Sequence, residues 1–130
     1  MEHLLEVKNL SVSIDGPSGE VQAVRDVSFS LKKGEVLAIV GESGCGKSVL
    51  CKSIMKLLPP SARIKEGSIS VNGQDITCYR EKEMQKLRGK IFSMIFQDPM
   101  TSLNSTIKIG KQIAEAVLIH NKKYTKEQVD

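Results

Sequence analysis

Hydrophobic positions change period several times along this chain, and each change predicts an element. Leu10, Val12 and Ile14 alternate with Ser11 and Ser13, whereas Leu5 and Val7 carry the opposite parity. A strand with a bulge near Lys8 and Asn9 reconciles the two runs, because one extra residue restores the following side chains to the same face. Asp15 to Gly19 then reads as a turn. From Val21 to Leu31 the odd positions Val21, Ala23, Val27, Phe29 and Leu31 are apolar and the even ones mostly polar, the period of a strand with one wet face. Lys32, Lys33 and Gly34 turn the chain back. Val36 to Val40 is apolar at all five positions and β-branched at three, which predicts a central strand of a parallel sheet, covered on both faces.

Beyond residue 46 the period lengthens. Leu50, Ile54, Leu57 and Leu58 recur at helix spacing until Pro59 and Pro60 stop them, predicting a helix over Lys47 to Leu58. Ile69 and Val71 alternate with Ser68 and Ser70 ahead of Asn72 and Gly73, a pair that favours a type I′ hairpin. Met84 and Leu87 share one face of a short polar helix ending at Gly89, and Ile91 to Phe96 reads as a further hydrophobic strand. Ile109, Ile113, Ala116, Val117 and His120 mark another amphipathic helix. Thr125 with Gln128 three residues on opens a capping box. Too little chain follows to propagate a helix past its nucleus, so the sequence is expected to be cut within an element.

Composition narrows the classes. A chain of 130 residues has room for one domain and one modest core. The hydrophobic share of 40%, with 10 Gly besides, is that of a globular domain and excludes disorder and collagen-like repeats. The longest apolar run is far short of the roughly 18 residues that span a bilayer. The start, Met1-Glu2-His3-Leu4-Leu5-Glu6, has no basic segment leading into an apolar one, so residence in the cytosol is expected. The net charge of +4 is scattered among acids. Lys82 to Lys90 interleaves with Glu81 and Glu83 as a solvated helix face, and no nucleic-acid partner is expected. Cys45, Cys51 and Cys78 form no CxxC pair, which leaves neither a disulfide framework nor a zinc site.

The candidate chemistry lies between the apolar run and the first helix. Gly41, Glu42, Ser43, Gly44, Cys45, Gly46, Lys47 and Ser48 match G-x-x-x-x-G-K-[ST] at every fixed position. The motif needs a strand before it and a helix after it, and both are predicted here. Glycines let the backbone curl with its N–H groups inward, and the helix N-terminus adds partial positive charge, so the loop suits a polyphosphate. Lys47 would reach the β- and γ-phosphates, and the Ser48 hydroxyl would hold Mg²⁺.

With a loop of this form, and a predicted strand running into Gln97-Asp98-Pro99 some fifty residues later, the chain resembles an ATP-binding cassette (ABC) transporter ATP-binding subunit. Asp26-Val27-Ser28-Phe29, Lys33-Gly34-Glu35, Gly67-Ser68-Ile69, Asn72-Gly73 and the stretch Phe96 to Asn104 place the resemblance in the dipeptide and oligopeptide, or peptide and nickel, importer branch. It covers essentially the whole chain. The resemblance implies an α/β fold of the P-loop NTPase class, with an antiparallel β subdomain beside a parallel core sheet. Residues 1–130 would form the N-terminal part of one nucleotide-binding domain, binding ATP and Mg²⁺. It gives Lys47 and Gln97 catalytic roles, with Ser48 and Gln97 at the metal. The aromatic that stacks on adenine in the family is replaced by Ile14, which covers the base without the aromatic contribution and predicts weak base selectivity.

Departures from the family pattern bear on activity. No Leu-Ser-Gly-Gly-Gln signature occurs in the sequence, and neither His3 nor His120 follows a predicted strand as the family's switch histidine does. Asp98 is a poor Walker B acid, because Gln97 separates it from the apolar run and Pro99 follows it. The expected function is therefore the ATP-binding component of a peptide importer, without hydrolysis by these residues alone. The alternatives are a non-catalytic nucleotide-binding or oligomerising remnant, and another P-loop kinase or NTPase. The partners implied are the transporter's membrane subunits and a second ATP-binding subunit, at the inner face of the cell membrane. Self-association through an exposed sheet edge at Val36 to Val40 is a further expectation.

Overall fold

A computed structural model of the chain describes residues 3–98 and 100–121. It divides into two compact units, Met1–Arg80 and Glu81–Asp130. The first is built on a four-stranded sheet in the order β2-β1-β3-β4, antiparallel throughout. Its strands are β1 at His3–Gly16, β2 at Gly19–Lys32, β3 at Ala62–Val71 and β4 at Gln74–Asp75, and the helix α1 spans Lys47–Ile54.

The bulge expected in β1 is there. β1 gains a residue against β2 between Val7 and Leu10 and against β3 between Lys8 and Ser11, with Asn9 left-handed at φ 48°. A bulge in β2, one of four register shifts in this strand pair, corrects the strict odd-position reading of that strand. Leu10 pairs with Val27 but Val12 with Val24, so β2 has the extra residue there, and Asp26 is left-handed at φ 49°. Val24 is consequently buried, while Val21 is 60% exposed. The unit's core gathers Val7, Leu10, Val12, Val24, Ile69, Val71 and Ile76, with Leu50 of α1 and Met55 at its end also buried. Asn72 at φ 51° and Gly73 at φ 75° make the expected type I′ turn between β3 and β4.

Two expectations about the first unit fail for identifiable reasons. α1 stops at Ile54 rather than Leu58, because Lys56 turns left-handed at φ 52°. The Leu57 N–H then bonds the Lys52 carbonyl at 2.8 Å and the Lys56 N–H the Ser53 carbonyl at 3.0 Å, the Schellman pattern on a non-glycine residue. The Lys56 ammonium holds that turn from outside the helix, donating to the carbonyls of Thr77 at 2.6 Å and Tyr79 at 2.7 Å. Thr77 is itself fixed, its hydroxyl accepting from Ile69 N–H at 2.8 Å and its N–H donating to Asp75 at 2.7 Å. Hydrogen bonds from the Thr77 hydroxyl and amide hold the Asp75 carboxyl below its ordinary pKa. Replacing Lys56 with alanine removes two charge-assisted bonds and should lower unfolding stability by about 2–3 kcal/mol in urea titration.

The other correction concerns Val36 to Val40. Among the described residues this run pairs with no strand, and Val36 is 97% and Val40 87% exposed. An all-apolar run becomes a central strand only where neighbours supply ladder bonds on both sides, and the described residues supply none. The antiparallel subdomain is thus formed, and the parallel core strand is not.

In the second unit α2 spans Glu81–Leu87 and α3 spans Ile109–His120. α2 buries Met84 and ends as expected, with Gly89 at φ 77° and its N–H bonded to the Phe92 carbonyl at 2.8 Å. The strand expected over Ile91 to Phe96 is reduced to one bridge between Arg88 and Phe92, and Ile95 is 99% exposed. α3 is present, but its expected face is not the buried one. Ala114 is buried while Ile109, Ile113 and Val117 are exposed. The helix is apolar at most positions from Ile113 to Ile119, so its periodicity does not single out one face. The capping box at Thr125 and Gln128 lies outside the described residues. No helix among the described residues is long and apolar enough to cross a membrane.

Candidate functional site

The site grows from the end of β2. Lys32 to Glu35 form a tight turn closed twice, by the Glu35 N–H on the Lys32 carbonyl at 3.1 Å and by the Lys32 N–H on the Glu35 carboxylate at 2.7 Å. The exposed segment 36–40 then delivers the chain to Gly41. From Gly41 to Ser48 the backbone curls back on itself through Gly44 at φ 81° and Gly46 at φ 88°, and Gly46 is the N-cap of α1. Gly46 is required for a second reason, since a Cβ there would overlap the Ala23 carbonyl oxygen of β2.

The loop is organised by its own lysine. The Lys47 ammonium donates to the carbonyls of Gly41 at 2.7 Å and Glu42 at 2.6 Å, with Cys45 Sγ 3.5 Å away. An ammonium has three donors, so the two carbonyls fix it and the weakly accepting sulfur leaves the third for a better partner. The first bond within α1 runs from Leu50 N–H to the Gly46 carbonyl at 2.9 Å. The amides of Lys47, Ser48 and Val49 precede it and are the orphan donors of the helix start. A curled loop, a fixed cation and a row of amides with the positive end of the helix dipole form a cradle whose donor set fits a phosphate chain. Ser48 is exposed one residue into the helix, where its hydroxyl suits a divalent ion that keeps most of its ligands from water and phosphate.

The structure therefore brings Gly41, Glu42, Ser43, Gly44, Cys45, Gly46, Lys47 and Ser48 into one loop. Ile14 lies in the same unit but in the sheet, half-buried near the end of β1, where its ladder partners are Val21 and Ala62. Gln97 belongs to the second unit, exposed at a bend. Beside it the Asp98 carboxylate accepts the Met100 N–H at 2.9 Å, so this acid caps its own turn. Cys45 is exposed and Cys51 half-buried. Because Cys45 Sγ sits against the lysine that organises the loop, alkylating it in a Cys78→Ser background should abolish Mg-ATP binding in calorimetry. Full binding after complete modification would contradict that placement.

Sequence reasoning missed the part of the site that lies in the sheet. The Ala23 carbonyl lies against Gly46, and Ala23 sits at a register shift of β2, between Gln22 and Val24. The clue was Val24, an apolar residue at an even position of an otherwise odd-position strand.

Comparison with known proteins identifies the family and the fold. The sequence model of the ABC transporter family matches residues 24–129. The chain is 58% identical over 120 residues to the oligopeptide transport ATP-binding protein OppD of Bacillus subtilis (strain 168), covering 92% of this chain and 34% of that protein. It is 54% identical over 125 residues to the dipeptide transport ATP-binding protein DppD of Lactococcus lactis subsp. cremoris (strain MG1363), covering 96% of this chain and 36% of the relative. The chain thus spans about a third of the length of these relatives. The dimeric structure of MJ0796, a bacterial ABC transporter cassette, shares the fold with a TM-score of 0.82 at 20% identity, over 96% of this chain and 52% of that one. With most of its residues inside the family match, the chain belongs to the ABC transporter family.

Proposed function

We propose that residues 1–130 bind Mg-ATP at Gly41 to Ser48 as the ATP-binding part of a peptide-importing transporter subunit, and that they do not hydrolyse it alone. The observation that carries this reading is the Lys47 ammonium, held on the Gly41 and Glu42 carbonyls beside the free amides that open α1. A cation fixed in advance spends little conformational freedom when phosphate arrives. Bound Mg-ATP supplies the phosphoanhydride bond that a complete site cleaves. Lys47 draws in the β- and γ-phosphates, the loop amides bond their oxygens, and Ser48 offers its hydroxyl to the ion. Ile14 is proposed to cover the base, and Gln97 is proposed to serve the metal and the attacking water only in a complete, hydrolysing subunit. The chain's likeness to the oligopeptide and dipeptide transport proteins supports peptides as cargo. Membrane subunits and a second ATP-binding subunit would be its partners, at the inner face of the membrane. The proposed lack of turnover is supported by residues 1–130 holding no Leu-Ser-Gly-Gly-Gln signature and no acid placed as in Walker B.

Calorimetric titration with Mg-ATP and with AMP, beside a phosphate-release assay, tests the proposal. Binding of ATP without AMP and without released phosphate is expected. Equal affinity for AMP would move the site from the phosphates to the base, and steady phosphate release would overturn the non-hydrolytic part.

A further inference from the structure

Two of the four register shifts between β1 and β2 are opposed bulges that cancel. Between the pairs Val7–Phe29 and Val12–Val24 each strand advances by the same number of residues, although β1 has its extra residue at Asn9 and β2 at Asp26. The two bulge residues are both left-handed and are tied to each other, Asn9 Nδ2 donating to Asp26 Oδ1 at 2.8 Å. Each backbone N–H is taken by a serine of the opposite strand, Asn9 N–H by Ser28 Oγ at 2.7 Å and Asp26 N–H by Ser11 Oγ at 3.1 Å. Gly67 of β3 lies against the Lys8 and Asn9 carbonyls so closely that a Cβ would come within 2.5 Å of both. Such a tie is more than is needed to close a strand pair, and it fixes which face each half of β2 presents.

The half beyond the bulge supports the phosphate loop. Ala23 and Val24 precede Asp26 by three and two residues, Ala23 being itself the extra residue between the pairs Val12–Val24 and Ser13–Gln22, and the Gly46 backbone lies against the Ala23 carbonyl with Val24 Cγ2 next to it. Losing the bulge would slip β2 by one residue and turn Val24 away from the core, exchanging the faces of the strand under Gly46. We propose that Asp26, through its bond to Asn9, is a positioning residue for the phosphate loop, setting the N-cap of α1 and with it Lys47 and the free amides. This rests on the nucleotide reading of the loop. Asp26 touches no phosphate on this account and acts through Ala23 and Gly46.

The test compares Asp26→Ala, Asp26→Asn and Val7→Ala with the wild-type 130-residue chain, reading Mg-ATP affinity by calorimetry and the ligand-free amide resonances of Gly44 and Gly46. Asp26→Ala should weaken Mg-ATP by about five- to tenfold and move both resonances, the size expected of coupling through packed neighbours. Asn retains an oxygen for Asn9 Nδ2 and tolerates the left-handed region, so Asp26→Asn should bind like wild type. Val7→Ala, a core truncation on the far side of the bulge, should lower the melting temperature and leave affinity and resonances unchanged. If Asp26→Ala does not fold, Asp26→Gly, which keeps the backbone freedom and loses the bond, carries the same expectation. Wild-type affinity and unmoved resonances in a folded Asp26→Ala or Asp26→Gly chain would overturn the proposal, as would equal weakening by Val7→Ala. Resonances that move in a chain whose wild type ignores Mg-ATP would uphold the positioning and count against the nucleotide reading alone.

Discussion

A Gly46→Ala chain is expected to lose most of its stability margin and all of its Mg-ATP binding. The new methyl group would overlap the Ala23 carbonyl oxygen, a backbone atom of a paired strand that cannot swing aside as a side-chain end would. Its backbone, at φ 88° and ψ 4°, is also one that alanine reaches only at a cost of about 1–3 kcal/mol. Strain and overlap together should lower unfolding stability by about 3–5 kcal/mol, a large part of the 5–15 kcal/mol typical of a domain. The alternative to unfolding is a shift of the α1 start away from β2, which carries Lys47 with it. Either route empties the site of its geometry. Gly44→Ala separates the two causes, since Gly44 has φ 81° but open space where its Cβ would stand. That variant should cost only the strain, about 1–2 kcal/mol, and keep its fold. Urea unfolding of both variants gives the comparison, and a Gly46→Ala chain as stable as Gly44→Ala would show that the Ala23 contact is not tight.

What could be read from the sequence was whatever local chemistry decides. The β1 bulge followed from a parity change between Val7 and Leu10, the hairpin from Asn72-Gly73, and the end of α2 from Gly89. The phosphate loop was legible because glycines, lysine and helix start are contiguous. Features set by distant residues were not. α1 ends at Ile54 because the ammonium of Lys56 reaches the carbonyls of Thr77 and Tyr79, more than twenty residues on. The β2 bulge depends on Asn9 and Ser11, on another strand. Val36 to Val40 and Ile91 to Phe96 have the composition of buried strands, yet composition supplies no ladder partner, and the described residues hold none for the first and one bridge for the second. α3 was placed correctly as a helix and turned wrongly, because with so many apolar positions the buried side is chosen by whatever packs on it. There the Gln112 carboxamide bonds the Asn104 backbone in both directions at 2.9 Å and the Ile107 carbonyl at 2.8 Å, while Ala114 is the buried position.

Lys47→Ala should have the opposite profile to Gly46→Ala, with binding lost and stability nearly kept. The ammonium makes two short bonds to the Gly41 and Glu42 carbonyls, but both carbonyls belong to exposed residues, so water replaces the lost donor. The stability change should stay below about 1 kcal/mol, as for other exposed hydrogen bonds. Binding is different, because the same cation faces the phosphates and its charge-assisted bonds have no substitute among the loop amides. A loss of at least about a hundredfold in Mg-ATP affinity is expected, equivalent to roughly 2.7 kcal/mol. Lys47→Arg should not rescue it, since a planar guanidinium cannot place one nitrogen on both carbonyls and still present a donor along the same direction. Calorimetry of the three chains, with melting curves on the same samples, reads both quantities. Near-normal affinity in a folded Lys47→Ala chain would mean that the lysine braces the loop without meeting a ligand, and the phosphate reading of Gly41 to Ser48 would fall with it.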